Sequence, residues 1–103
     1  MEKKIQIKYL QEHEIQTQII KYLKAKGYFF WRNNVGKKKN MHFGLKGSAD
    51  LEGVTPNGIF FAIEVKDHRG LLSVEQLMFS QKVENNNAIY ILARCLEHVS
   101  MIL

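Results

Sequence analysis

The chain has 103 residues, of which 46% are hydrophobic and 24% charged, and its formal net charge is +5. This composition excludes a disordered chain and predicts one folded domain spanning residues 1–103. The single cysteine excludes an internal disulfide framework. No apolar run approaches the roughly 18 residues of a membrane span, and the N-terminus lacks a signal-like apolar region, so we expect a cytoplasmic protein without membrane contact.

An amphipathic helix is the first predicted element, over residues 11–26. Apolar side chains recur there at helical spacing, and Gly27 follows as a helix stop. These side chains are Ile15, Ile19, Tyr22 and Leu23. Residues 28–34 come next and are rich in aromatic residues with a polar end, which predicts a strand.

A basic loop is predicted after this strand, because residues 32–46 contain no acidic residue. The loop is either an ordinary solvated surface or, given the positive charge of the whole chain, a contact for a polyanion such as DNA. Its basic residues are Arg32, Lys37, Lys38, Lys39 and Lys46.

A β-hairpin is predicted between the segments 49–54 and 59–66. They flank "TPNG", in which the Pro-Asn-Gly order suits a type I turn followed by a left-handed glycine. A three-residue loop of this kind sets Asp50 opposite Glu64. A two-residue Asn-Gly loop would set Asp50 opposite Val65 and turn it to the other face of the sheet.

The rest of the chain predicts a second helix over about 73–85, a buried strand over 88–93 and a short helix after Leu96. Ser73 and Gln76 have the spacing of a capping box at the start of the second helix. Taken in order, the elements predict an α/β fold in which helices flank a mixed sheet.

The second helix carries two sets of apolar side chains. Val74, Leu77 and Met78 share one helical face. Phe79 and Val83 lie off that face and need a second neighbour. This neighbour is either a partner subunit in a homodimer or the C-terminal segment.

The end of the strand at 59–66 carries the candidate site. Side chains alternate along a strand, so Glu64 and Lys66 share a face, and the hairpin register brings Asp50 to them. Two adjacent carboxylates repel unless a cation lies between them, and Mg²⁺ binds carboxylate oxygens. With a lysine beside it, such a site suits phosphodiester hydrolysis. The alternative is an ordinary Glu-Lys pair at a strand end, with Asp50 solvated.

Glu14 and Gln76 are further candidates, each with a structural alternative. Glu14 lies about 100° around the first helix from Ile15, at the rim of the apolar face with Gln18. It is either a further metal ligand or an exposed acid. Gln76 is either the capping-box partner of Ser73 or a residue of the site.

The histidines show no metal-ligand spacing such as H-x-x-x-H. We expect them to be surface or loop residues rather than ligands. His68 and its neighbour Arg69 lie just past Lys66 and are the ones expected to touch a substrate.

Five ordered motifs resemble a known family: Glu14 in the first helix, "WRNNVG" at 31–36, "GSAD" at 47–50, "EVK" at 64–66 and "LSVEQ" at 72–76. Together they resemble the virus-type replication-repair nuclease (VRR-NUC) domain of the PD-(D/E)XK nuclease superfamily. Each motif is short, but the set covers nearly the whole chain.

The resemblance implies a PD-(D/E)XK fold and DNA cleavage that depends on Mg²⁺ or Mn²⁺. Asp50 and Glu64 match the metal-binding acids, Glu14 the helix-borne acid, Lys66 the catalytic lysine and Gln76 the glutamine after the motif. Small members of the family imply a phage or bacterial DNA-repair endonuclease, a homodimer that cuts branched DNA such as Holliday junctions.

The DNA contacts expected from this resemblance are the basic loop and the rim of the site. The alternatives are a basic DNA-binding module without chemistry, and a nuclease of the same superfamily that acts on flaps or linear DNA. The residues assigned to DNA binding are Arg32, Asn33, Lys37, Lys38, Lys39, Lys46, His68 and Arg69.

Overall fold

The structure is a computed structural model that describes residues 8–33 and 45–103. Every predicted helix and strand is present, with small differences at the ends. No helix in the described part of the chain is long and apolar enough to cross a membrane. The elements are α1 Glu12–Ala25, β1 Phe29–Arg32, β2 Leu51–Val54, β3 Phe60–Val65, α2 Val74–Asn85, β4 Ile89–Ala93 and α3 Leu96–Ser100.

The four strands form one mixed sheet in the order β1-β2-β3-β4. β1, β2 and β3 are antiparallel neighbours, whereas β4 runs parallel to β3. Parallel neighbours need a crossover connection, and α2 supplies it. The mixed sheet flanked by helices confirms the predicted α/β class.

The hydrophobic core lies on one face of the sheet, under α1 and α3. Alternation along β3 sends Phe61, Ile63 and Val65 to this face, and each is at most 1% exposed. Val99 of α3 is fully buried with them. The predicted apolar stripe of α1 packs here through Ile15, Ile19 and Leu23.

α2 packs with a different face from the one its apolar residues suggest. Val83 is buried, and Phe79 meets an aromatic ring of β4 edge-on. Val74, Leu77 and Met78, which share the expected face, are 72%, 49% and 51% exposed. The sheet is therefore the neighbour of Phe79 and Val83, and the prediction that they need a partner subunit or the C-terminal segment was wrong. Ser80 is buried on the same side of the helix as Val83.

The turn between β2 and β3 is the predicted three-residue loop. Thr55 N donates to Ile59 O at 2.8 Å, and Gly58 N donates to Thr55 O at 2.9 Å. Gly58 has a φ of 87°, in the left-handed region that disfavours any residue with a Cβ. The turn therefore fixes the register, which continues to Leu51 opposite Ile63.

Candidate active site

Past the last paired residues of β2 and β3, the two strands separate at the open end of the hairpin. A regular ladder would continue with a hydrogen bond from Val65 N to Ala49 O. Instead, Val65 N donates to Oδ2 of Asp50 at 2.9 Å. The predicted register holds up to this point, and the Asp50 carboxylate then folds back onto β3 at Glu64.

Glu64 is the charged centre of this cluster, and it is only 3% exposed. Burial raises its pKa, and the neighbouring Asp50 carboxylate raises it further, whereas Lys66 lowers it. The net effect is a pKa of about 8, against an ordinary value of 4.5. At neutral pH the Glu64 carboxyl therefore favours its protonated form, chiefly because it is buried and also because a second carboxylate lies beside it.

Lys66 is the cation nearest to Glu64. Its Nζ lies 3.6 Å from Oε2 of Glu64, and its side chain is 16% exposed. The backbone N of Lys66 donates to Ala93 O at 3.1 Å, which extends the pairing of β3 with β4. The predicted sharing of one face by Glu64 and Lys66 is confirmed, and the backbone of the lysine is held by the sheet.

Gln76 is both the capping-box partner of Ser73 and a neighbour of Glu64. The oxygen of its side-chain amide serves the cap, and the nitrogen contacts Glu64. Oε1 of Gln76 accepts from Ser73 N at 2.9 Å, and its backbone N donates to Ser73 Oγ at 3.1 Å, which completes the capping box. Its Nε2 donates to Oε2 of Glu64 at 3.1 Å. The start of α2 is therefore attached to the carboxylate cluster.

Asn33 holds the loop that carries Asp50. Its backbone N donates to Asp50 O at 2.9 Å, and its Nδ2 donates to Ala49 O, also at 2.9 Å. Ala49 O is the acceptor that Val65 N would use in a regular ladder. DNA binding by Asn33 stays a prediction; in the structure its Nδ2 helps to hold the segment that carries Asp50.

A polar cavity of about 670 Å³ opens beside Asp50, between α1 and the ends of β1 and β3. Asp50 is the member of the carboxylate cluster that lines it, whereas Glu64 is buried behind. The other charged side chains of its lining are Glu12, Arg32 and Asp67.

Glu14 is not among the residues that line this cavity. Adjacent helix positions are 100° apart, so Glu14 lies about 160° around α1 from Gln16, which does line the cavity. Glu14 and the cavity thus lie on opposite sides of the apolar face of α1. The role of Glu14 as a further ligand stays a prediction, and the acid that α1 contributes to the cavity is Glu12.

The residues predicted to bind DNA fall into three groups. Arg32 lines the cavity, and His68 and Arg69 are exposed just beyond it. Lys46 is 75% exposed and lies 3.5 Å from a carboxylate oxygen of Glu75. Lys37, Lys38 and Lys39 lie outside the described residues.

Several residues at the site were missed by sequence reasoning. Glu12 and Gln16 were indicated by their i, i+4 spacing on one flank of α1, but nothing in the sequence chose that flank. Tyr90 could have been found from strand alternation, which places it on the face of Glu64. Its buried hydroxyl has no hydrogen-bond partner among the described residues, and burial together with Glu64 raises its pKa.

The donors at this cluster suit a hard divalent cation that keeps most of its water. Within residues 8–33 and 45–103, no three His, Cys, Asp or Glu side chains come together as a metal site. Mg²⁺, however, is commonly held by one or two carboxylates and several waters. Asp50 and Glu64 provide two neighbouring carboxylates, and a cation between them would offset the repulsion that contributes to the raised pKa of Glu64. The residues present therefore fit Mg²⁺ or Mn²⁺.

Comparisons with known proteins give this chain no relative. No family model, no curated protein and no solved structure matches it. Its function is therefore inferred from the geometry of the cluster and from the motifs in the sequence.

Proposed function

We propose that the protein is a divalent-metal-dependent DNA endonuclease of the PD-(D/E)XK type. The observation that carries the proposal is the convergence of Asp50, Glu64 and Lys66 at the open end of one hairpin. The order of these residues along the chain also resembles that of VRR-NUC domains. Two neighbouring carboxyl groups, one of them buried, are suited to binding a metal ion, because a cation would offset their mutual repulsion.

The proposed reaction is hydrolysis of a phosphodiester bond. Asp50 and Glu64 would hold Mg²⁺ or Mn²⁺, which when bound would supply Lewis-acid chemistry for the phosphate and a more acidic water. Lys66 is placed to orient the attacking water or to stabilise charge on the phosphate in the transition state. Gln76 positions Glu64 through its hydrogen bond, and its attachment to the helix cap keeps that bond in place.

The substrate class follows from the resemblance and from the positive charge of the chain. Branched DNA such as a Holliday junction is what VRR-NUC domains of this size imply. Arg32 at the cavity and the exposed Arg69 are placed for contacts to phosphate near the cluster. DNA flaps and linear DNA are the alternative substrates for the same chemistry.

A homodimer is the assembly that we propose for cutting two strands, because a two-fold axis supplies two equivalent sites. The exposed stripe of Val74, Leu77 and Met78 on α2 supports it. Three adjacent apolar side chains with this much exposure are suited to a protein interface.

Sedimentation of the wild-type protein and of Leu77→Lys tests the proposed dimer. We expect a dimer that the substitution dissociates. A wild-type monomer at micromolar concentration rejects the proposed assembly.

Cleavage of a substrate panel tests the proposed function. The panel contains a four-way junction, a flap, a nicked duplex and a linear duplex, each with Mg²⁺ or EDTA. We expect Mg²⁺-dependent cleavage that Lys66→Ala reduces by at least about 100-fold, the size of effect seen when one transition-state donor is removed. Lys24→Ala, which removes a lysine from the last turn of α1, is the matched control and should cleave at the wild-type rate.

DNA binding by the same variants separates the catalytic proposal from a binding module. A nuclease should lose cleavage and keep binding in Lys66→Ala. A protein that binds junctions but leaves every member of the panel intact, with either metal, is a binding module. A protein that neither binds nor cuts DNA rejects both functions.

A further inference from the structure

The rings of Tyr9 and His68 stack at the rim of the cavity. Their centroids are 3.9 Å apart and their planes differ by 13°. Tyr9 precedes α1 and His68 follows β3, so the contact joins two distant parts of the chain. Tyr9 is 56% exposed and His68 is also exposed, so this stack adds little to the hydrophobic core.

The backbone is anchored on both sides of the stack. Oδ1 of Asp67 accepts from the N of Arg69 at 2.8 Å and from the N of Gly70 at 2.7 Å. Nη1 of Arg94 donates to Asp67 O at 2.6 Å. On the other side, Leu10 packs against the hydrophobic core. Both rings are therefore held in place before any ligand binds, which reduces the entropy cost of binding.

A cation lies beside each ring in the sequence. Lys8 precedes Tyr9 and Arg69 follows His68, and both basic residues are exposed. Asp67 and Gln11, each within two residues of one of the rings, line the cavity that holds Asp50. Aromatic rings flanked by basic side chains are the arrangement with which proteins bind unpaired nucleotides, through base stacking and phosphate contacts.

We propose that the Tyr9–His68 stack is a platform for one unpaired nucleobase of the DNA substrate. This inference rests on the proposed nuclease function and names the feature of the DNA that the site reads. In a continuous duplex, both faces of an internal base are already covered by its neighbours. A base at a branch point or in a flap can instead leave the duplex and stack on the free face of Tyr9.

Equilibrium binding to two DNA probes tests this proposal. Both are duplexes of the same sequence, and one carries a single unpaired 2-aminopurine nucleotide. Binding is measured with Mg²⁺ in the Lys66→Ala background, which prevents cleavage. We expect the unpaired probe to bind more tightly and its 2-aminopurine fluorescence to be quenched. Tyr9→Ala should reduce the preference for the unpaired probe about tenfold, within the range for loss of one base–aromatic stack.

Two further variants serve as controls for that result. Tyr9→Phe keeps the ring and should keep the preference within about twofold. Phe29→Ala removes a ring that is 70% exposed at the end of β1 away from the cavity, and it should have no effect on the preference. His68→Ala repeats the test from the other ring if Tyr9→Ala lowers the melting temperature.

The outcomes distinguish this inference from the proposed function. If Tyr9→Ala and His68→Ala each weaken binding to both probes equally, the stacking platform is overturned. The same holds if the protein with both rings intact shows no preference for the unpaired probe. Either result leaves the nuclease proposal intact. A protein that binds the four-way junction but neither probe overturns the stacking platform alone, and a protein that binds none of the three overturns both proposals.

Discussion

The two ends of the β2–β3 hairpin differ in how their polar groups are paired. At the turn, backbone N–H groups donate to backbone carbonyls, and the residue with a left-handed φ is a glycine, Gly58. At the open end, a side chain replaces the backbone acceptor, and Glu64 is buried beside a second carboxylate. The turn end favours stability, whereas the open end buries an acid at a cost in stability, which the proposed metal site would explain.

Glu64→Gln tests this contrast most strongly. The Glu64 carboxyl is protonated in both states below about pH 4.5, and from there to about pH 8 only the unfolded chain releases the proton. The free energy of unfolding of the metal-free protein should therefore fall as pH rises through this window. Each unit of pKa shift corresponds to about 1.4 kcal/mol. We expect Glu64→Gln to be more stable than wild type at pH 8 by on the order of 2 kcal/mol or more, measured by urea denaturation in EDTA.

The same variant also tests the metal. The proposed Mg²⁺ site exists only in the folded state, so we expect Mg²⁺ to raise the wild-type melting temperature at pH 8. Glu64→Gln should show little of this rise and should lose cleavage. A variant less stable than wild type at pH 8, with an unchanged response to Mg²⁺, would show that the open end is an ordinary structural contact.

Asn33→Ala should have the next largest effect, because it releases the loop that carries Asp50. The two backbone carbonyls that Asn33 holds are at Ala49 and Asp50. The substitution removes only the side-chain bond, so we expect a loss of about 1 kcal/mol in stability. Cleavage should fall about tenfold or more at low Mg²⁺ and recover in part at high Mg²⁺, which a general loss of stability would not produce. Asn57→Ala, which removes a side chain of the same kind at the turn end, is the control and should leave the Mg²⁺ dependence unchanged.

Glu12→Gln and Glu14→Gln form a matched pair on one helix. Glu12 lines the cavity and Glu14 does not, although both are acids in the first turn of α1. We expect Glu12→Gln to change the rate of cleavage about tenfold and Glu14→Gln to leave it within about twofold. The reverse result would return the helix-borne role to Glu14, as the sequence motif implies.

The sequence was sufficient for the parts that local rules determine. The helix periodicity of α1, the capping box at Ser73 and the Pro-Asn-Gly turn each depend on a few neighbouring residues. The turn also determined a long-range feature, the register that brings Asp50 to Glu64, because antiparallel pairing extends a local choice along both strands.

The features that were missed depend on how elements pack. Which side of α1 faces the cavity depends on how the helix is oriented over the sheet. The residues Glu14 and Gln16 do not determine that orientation by themselves. The apolar residues of α2 suggested the wrong inner face, since Val74, Leu77 and Met78 are more hydrophobic together than the residues that contact the sheet. The bonds of Asn33 to the segment that carries Asp50 could not be predicted, because they join residues distant in sequence.

Gly58→Ala, at the turn end, should have the smallest effect on activity. A Cβ at this position meets no atom within 4 Å, so the cost comes from the φ of 87° alone. A left-handed angle costs a residue with a Cβ about 1 kcal/mol, and we expect this loss of stability in urea denaturation, with cleavage per folded molecule within about twofold of wild type. Gly27→Ala, another glycine with a positive φ and no close neighbour, is the matched control for stability. If Gly58→Ala instead lowers cleavage more than tenfold while Gly27→Ala does not, a change at the turn disturbs the strand register at the cluster. The two ends of the hairpin would then act as one unit.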